Sequence, residues 1–129
     1  MILSNNNLLE RTYNSYYISD LDILINLLIN FSKQLSASIK LSLDESWDSD
    51  SVSCKIDNHK YLLSYYTEDE DDKERKYPRS YHRGIIEPKK IEINGDYYDE
   101  NMICYDYGLV LMVFKEFFET KTIPLYILS

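Results

Sequence analysis

The sequence predicts an α+β domain: a mostly antiparallel sheet with two main helices packed on it. Three observations lead there. An apolar spacing of three and four residues runs on from Ser19, alternation of apolar and polar residues marks 37–43 and 51–56, and a second helical spacing covers 107–120.

In chain order, the first 18 residues are ambiguous. Asn5-Asn6-Asn7 reads as loop, and Leu8 to Ile18 fits a strand or a short helix equally well. Ser19 is a natural N-cap, with Asp20 and Asp22 in the first turn, where backbone amides and the helix dipole favour negative charge. Leu21, Leu24, Ile25, Leu28, Phe31 and Leu35 then fall on one face, the pattern of a helix packed on a core. From Ala37 the period becomes two. Ile39, Leu41 and Leu43 alternate with Ser38, Lys40 and Ser42, and Val52, Cys54 and Ile56 alternate with Ser51, Ser53 and Lys55. Asp57-Asn58 predicts a turn into a third strand, Lys60 to Tyr66, followed by a charged loop from Glu68 to Pro78. Strand-like stretches return at Ser80 to Arg83 and Lys89 to Ile93. Asn94-Gly95 then tolerates the positive φ of a type I′ turn and reverses the chain into Asp96 to Tyr98. The second helix is expected from Tyr107 to Thr120. Its two apolar rows, Leu109, Met112, Val113, Phe117 and Leu111, Phe114, Phe118, predict burial around much of its circumference. Pro124 cannot continue a helix, and Ile123, Leu125 and Ile127 alternate as a short last strand.

The chain of 129 residues fits one domain, 1–129, and its apolar fraction of 44% is enough for a core. A formal charge of -8 argues against direct binding of nucleic acid, because neutralising phosphates requires a cationic face. Three glycines leave no glycine-rich phosphate loop, while thirteen tyrosines hint at a sheet or an interface. Met1 to Asn7 lacks the charge and apolar core of a signal peptide, and Leu21 to Phe31 is too short for a membrane span. With only two cysteines, reduced thiols and a cytoplasmic location are expected, without a membrane partner.

Catalysis finds little support. His59 and His82 have no nucleophile in a recognised context. Cys54, His59, His82 and Cys104 offer zinc-ligand types without paired zinc-site spacing. Asp44 to Asp50 lacks the glycine and closing glutamate of a calcium loop. No catalytic residue, cofactor or metal is expected.

Charge distribution is more informative. The acidic excess falls in three blocks, Asp44 to Asp50, Glu68 to Lys76 and Asp96 to Asp106, all in predicted loops and turns. Aromatics accompany each: Trp47 lies inside the first, Tyr65 and Tyr66 precede the second, and Tyr97, Tyr98, Tyr105 and Tyr107 lie in or beside the third. Carboxylates with tyrosine and tryptophan suit an interface with a basic protein, the rings giving buried area and the charges steering encounter. The candidate contact residues are Asp44, Glu45, Trp47, Asp48 and Asp50, together with Tyr66, Glu68, Asp69, Glu70, Asp71 and Asp72.

The segment Tyr107-Gly108-Leu109-Val110-Leu111-Met112-Val113-Phe114-Lys115-Glu116-Phe117-Phe118-Glu119-Thr120, followed by Ile123-Pro124-Leu125-Tyr126-Ile127, resembles the ending of immunity protein family one of bacterial polymorphic-toxin systems. The layout resembles that family over residues 16 to 129, with a Ser80 to Gly84 stretch and the Asn94-Gly95 turn. Lys121 stands where the family has glycine, and Leu128-Ser129 where a closing tryptophan is frequent. The resemblance implies a cytoplasmic antitoxin. Its partner would be the toxin domain of a cognate contact-dependent or polymorphic-toxin effector, a nuclease or nucleic-acid deaminase, neutralised by stoichiometric binding. Two rival readings remain open at this point: a small acidic metal-dependent hydrolase or nuclease, and an acidic scaffold or nucleic-acid mimic.

Overall fold

Alternation along the chain becomes a sheet with one covered and one open face. The computed structural model describes residues 1–67 and 79–129. Their elements run β1 (Ile2–Asn7), β2 (Thr12–Tyr17), α1 (Leu21–Phe31), β3 (Ser36–Ser42), β4 (Ser51–Asp57), β5 (Lys60–Tyr66), β6 (Arg79–Ser80), β7 (Lys90–Ile93), β8 (Asp96–Asp99), β9 (Ile103–Cys104) and α2 (Tyr107–Thr120). The main sheet has the order β2-β1-β3-β4-β5-β6, with β9 also bonded to β5, while β7 and β8 form a separate hairpin. Each of these pairings is antiparallel, so the α+β architecture expected from the sequence is the one present.

Register explains the core. One row across the sheet reads Tyr16, Leu3, Leu41, Val52, Tyr65 and Arg79, and the next reads Asn14, Asn5, Ile39, Cys54 and Leu63. These rows face Leu24, Leu28 and Phe31 of α1 and Val110, Val113, Phe114 and Phe117 of α2 in one buried cluster. The Tyr107 hydroxyl donates to the Leu28 carbonyl and ties the two helices together. Tyr65 packs edge-on against Phe117 at 6.1 Å, and the Arg79 guanidinium lies over the Tyr65 ring, 4.5 Å from its centre. Arg79 also donates to the Ile123 carbonyl, which anchors the chain after α2.

Several expectations are corrected. Asn5-Asn6-Asn7 belongs to strand β1, because the two inward side chains are satisfied. Asn5 and Gln34 exchange amide hydrogen bonds of 2.8 and 2.9 Å, and the Asn7 side-chain carbonyl accepts from the Glu10 amide in the β1–β2 turn. Asn5→Ala strips both bonds from Gln34, and a loss of about 1–2 kcal/mol is expected in a urea unfolding curve. Helix α1 starts at Leu21 with Asp20 as its cap, because Ile18 still donates to the Met1 carbonyl and holds the chain extended. The Asp22 amide donates to the Asp20 carboxylate at 2.8 Å. The helix ends at Phe31, so Leu35 lies beyond it and is exposed. Met112 likewise faces solvent, which narrows the buried stripe of α2.

Turns account for the other differences. The β4–β5 reversal is made by Asn58 and His59, at φ 46° and 64°, one residue later than expected. Asn94 and Gly95, at φ 51° and 94°, make the anticipated reversal. Strand β6 is confined to two residues. No last strand forms from Ile123 to Ile127; the Pro124 carbonyl accepts from the amides of Ile127 and Leu128, curling the chain so that Leu128 is buried. Ser129 then exchanges backbone bonds with Ser80.

Lys121 follows α2 in the left-handed region, at φ 63°, where a side chain is strained and glycine is not. Part of the relief from removing that side chain is offset by the freer unfolded chain. Lys121→Gly is therefore expected to raise stability by about 0.5–1 kcal/mol, read as a higher denaturant midpoint at unchanged slope.

Candidate functional site

The helix-free face of the sheet has its own composition. Its first row reads Tyr17, Ile2, Ser42, Ser51 and Tyr66, and its second Ser15, Ser4, Lys40, Ser53, Ser64 and Ser80. Its third row reads Tyr13, Asn6, Ser38, Lys55, Leu62 and Ile103. Small hydroxyls thus form a floor, with tyrosines at the margin.

Two structures border the floor. The β7–β8 hairpin covers the end of the third row, where Ile93 packs on Leu62 and Ile103 in a second, smaller core. Lys55 donates to the Tyr98 hydroxyl at 2.8 Å, and Asn94 at the hairpin tip donates from its amide to Asp57 at 2.9 Å. The other border is the β3–β4 loop, Leu43 to Asp50. Its base is closed by the Leu43 amide on the Asp50 carbonyl, and its turn by the Ser46 amide on the Asp44 carboxylate at 2.8 Å. Trp47 stands at the loop tip, 88% exposed. Between the loop and β1–β2 lies a groove of about 350 Å³, lined among others by Tyr13, Ser15, Lys40, Glu45 and Trp47.

Tyr17 connects loop to sheet. Its hydroxyl donates to the Glu45 carboxylate, and that carboxylate raises the phenol above its ordinary value. The bond fixes the loop beside an exposed edge of tyrosines, Tyr13 at 67% and Tyr17 at 79%.

Of the residues singled out in the sequence, Asp44, Glu45, Trp47 and Asp48 lie together on this exposed loop. Asp50 is half-buried at its base, accepting from the Thr67 hydroxyl at 3.0 Å. Tyr66 lies on the same sheet face at the far end of the first row. Glu68, Asp69, Glu70, Asp71 and Asp72 lie outside the described residues. Sequence reasoning missed Tyr13, Ser15 and Tyr17. Their spacing of two is visible in the sequence, but their neighbours Asn14 and Tyr16 supply no apolar alternation against it.

The groups considered for chemistry are placed elsewhere. Cys54 and Cys104 are free and buried, and desolvation pushes both thiols up, away from the reactive thiolate. Among the described residues, no three His, Cys, Asp or Glu side chains form a metal-binding group, and no helix is long and apolar enough to cross a membrane.

Fold and face together define an α+β protein with helices on one side of an antiparallel sheet and a helix-free polar and aromatic surface, bordered by a hairpin and a loop, on the other. Residues 2–127 match the model of DUF6911, a family of unknown function, and the chain belongs to that family. It is similar in fold to the crystal structure of a hypothetical protein from Neisseria gonorrhoeae, with a TM-score of 0.66 at 15% identity, covering 92% of this chain and 85% of that one. No curated protein matches it.

Proposed function

We propose that this chain is a cytoplasmic immunity protein that binds the toxin domain of a cognate contact-dependent or polymorphic-toxin effector and neutralises it by stoichiometric binding. The observation that carries the reading is Trp47, held out in solvent on an acidic loop beside an exposed tyrosine edge. A large exposed ring costs solvation without stabilising the fold, and partner-binding sites are where such rings are enriched. The resemblance of 107–127 to immunity protein family one supports the same class. Asp44, Glu45 and Asp48 would meet Lys or Arg of a basic toxin, accelerating encounter at low salt, while Trp47 would slow dissociation.

The test is to purify this chain with the C-terminal domain of a large secreted protein encoded immediately upstream. A one-to-one complex that abolishes that domain's toxicity is the expected result, with an association rate that falls as salt rises. Absence of both complex and protection would overturn the reading.

A further inference from the structure

The two ends of the main sheet are treated differently. At the β6 end, the two-residue strand is closed by Ser129, whose amide and carbonyl both bond Ser80. At the β2 end, six residues, Thr-Tyr-Asn-Ser-Tyr-Tyr, run along the margin, and no strand among the described residues pairs with their outer side. Edges of this length are normally blunted by lysine, proline, a bulge or a covering segment. Strand β2 contains no charged residue, proline or glycine, and its register with β1 is unbroken.

The direction of its free backbone groups follows from the ladder. Ile18 donates to the Met1 carbonyl at 2.8 Å and the Met1 ammonium donates to the Ile18 carbonyl at 3.2 Å, so this is a bonded pair. Antiparallel pairs alternate, which makes Leu3–Tyr16, Asn5–Asn14 and Asn7–Thr12 bonded and leaves Tyr13, Ser15 and Tyr17 with amide and carbonyl turned outward. The Leu8 amide, which bonds the Ser36 carbonyl at 2.9 Å, fits the same phase on the other side of β1.

We propose that this edge is the interface of a two-fold homodimer, β2 pairing antiparallel with β2 of a second copy about Ser15. The outward residues are symmetric around that point. Tyr13 of each copy opposes Tyr17 of the other, and Ser15 opposes Ser15, so all three outward amides and carbonyls on each strand find partners. The Tyr13–Tyr17 pairs lie on the open face as cross-strand aromatic pairs, and the serines between them leave the strands unobstructed. The pairing also carries each β1–β2 turn, with exposed Leu8 and Leu9, past the end of the opposing strand toward the start of its α1. A second copy suits the edge because its outward residues, Tyr13, Ser15 and Tyr17, are symmetric about Ser15 and so complement themselves when the strand is reversed. Among the described residues of the main sheet no second edge of this kind is left, since pairing consumes the β2 edge and the β6 end is closed by Ser129, so this contact closes at two.

Sedimentation of the purified chain over a wide concentration range, together with hydrogen exchange at single amides, tests this. A dimer is expected, with slow exchange at Tyr13, Ser15 and Tyr17. Because each copy is acidic, dimerisation should strengthen as salt rises, opposite to the salt response proposed for the toxin complex. Ser15→Pro removes an amide that β1 does not use, and Tyr13→Lys places a charge in the aromatic pair; both should shift the chain to monomer. Either variant suffices if the other fails to fold. A wild-type chain that stays monomeric with fast exchange at these amides would overturn the proposal, as would a dimer that survives in whichever variants fold. No toxin takes part, so this test and that of the proposed function fail separately, although the dimer would cover the tyrosine edge beside the Trp47 loop.

Discussion

Trp47→Ala is expected to weaken the complex with the neutralised toxin by about 30- to 1,000-fold, the loss of about 2–4 kcal/mol seen when a central aromatic anchor is truncated. The loss should appear mainly as faster dissociation, because the ring acts after encounter and the carboxylates around it act before. Stability should stay unchanged. The side chain is 88% exposed, and the loop is held by Ser46 on Asp44, Leu43 on Asp50 and Tyr17 on Glu45, none of which involves the ring. Surface-immobilised toxin domain with the variant in solution gives both rates, and a thermal melt checks the fold. An unchanged dissociation rate would remove Trp47 from the interface. The same experiment with Glu45→Gln separates the two effects, since a steering charge changes the association rate and its salt dependence.

Phe117→Ala should cost about 3–5 kcal/mol, enough to leave a domain of this size close to unfolded. Phe117 is fully buried, and its ring is one member of a stack that continues through Tyr65 to Arg79. Removing it opens a cavity under β5 and unseats Tyr65, on which the Arg79 guanidinium rests. Arg79 in turn holds the Ile123 carbonyl, so the segment after α2 should loosen with it. Phe117→Leu retains most of the volume and is expected to lose markedly less. Urea unfolding followed by tyrosine and tryptophan fluorescence distinguishes the two. Equal stability of Phe117→Ala and the parent chain would contradict the packing described.

The contrast between legible and illegible elements has a physical origin. Strands β3 and β4 were readable because each places apolar residues against the helices and polar ones against the floor, so period two appears directly in the sequence; β5 was read from the turn before it, since Leu62 puts an apolar side chain on the floor side as well. The type I′ chemistry of Asn94-Gly95 and the helical spacing of Tyr107–Thr120 were equally local. Strand β1 was hidden because its inward positions include Asn5 and Asn7, whose burial depends on Gln34 and on the Glu10 amide, partners that no local pattern reveals. Strand β2 stayed undecided between strand and short helix because it lies at the margin with almost nothing buried, and it was there that the candidate face went unrecognised. The Asp44–Asp50 loop was found from charge and Trp47 alone, but its neighbours Tyr13, Ser15 and Lys40 are brought in by register. The ending was misread for a different reason: Ile123 and Leu128 are buried by a turn that begins at Pro124, and alternation across a turn imitates a strand.

The small cluster of Leu62, Ile93 and Ile103 lies across the sheet from the main core and shares no buried residue with it. Two cores of unequal size imply two tiers of cooperativity. The β7–β8 hairpin can detach by releasing Ile93 and a few polar bonds, while the helices and their rows stay intact, so its amides should exchange through a subglobal opening of lower free energy. Detachment would uncover Lys55 and the hydroxyl floor beyond it. With such an opening the sheet face would have a hinged margin on one side and an acidic loop tied to the sheet on the other, and its usable width would follow that equilibrium.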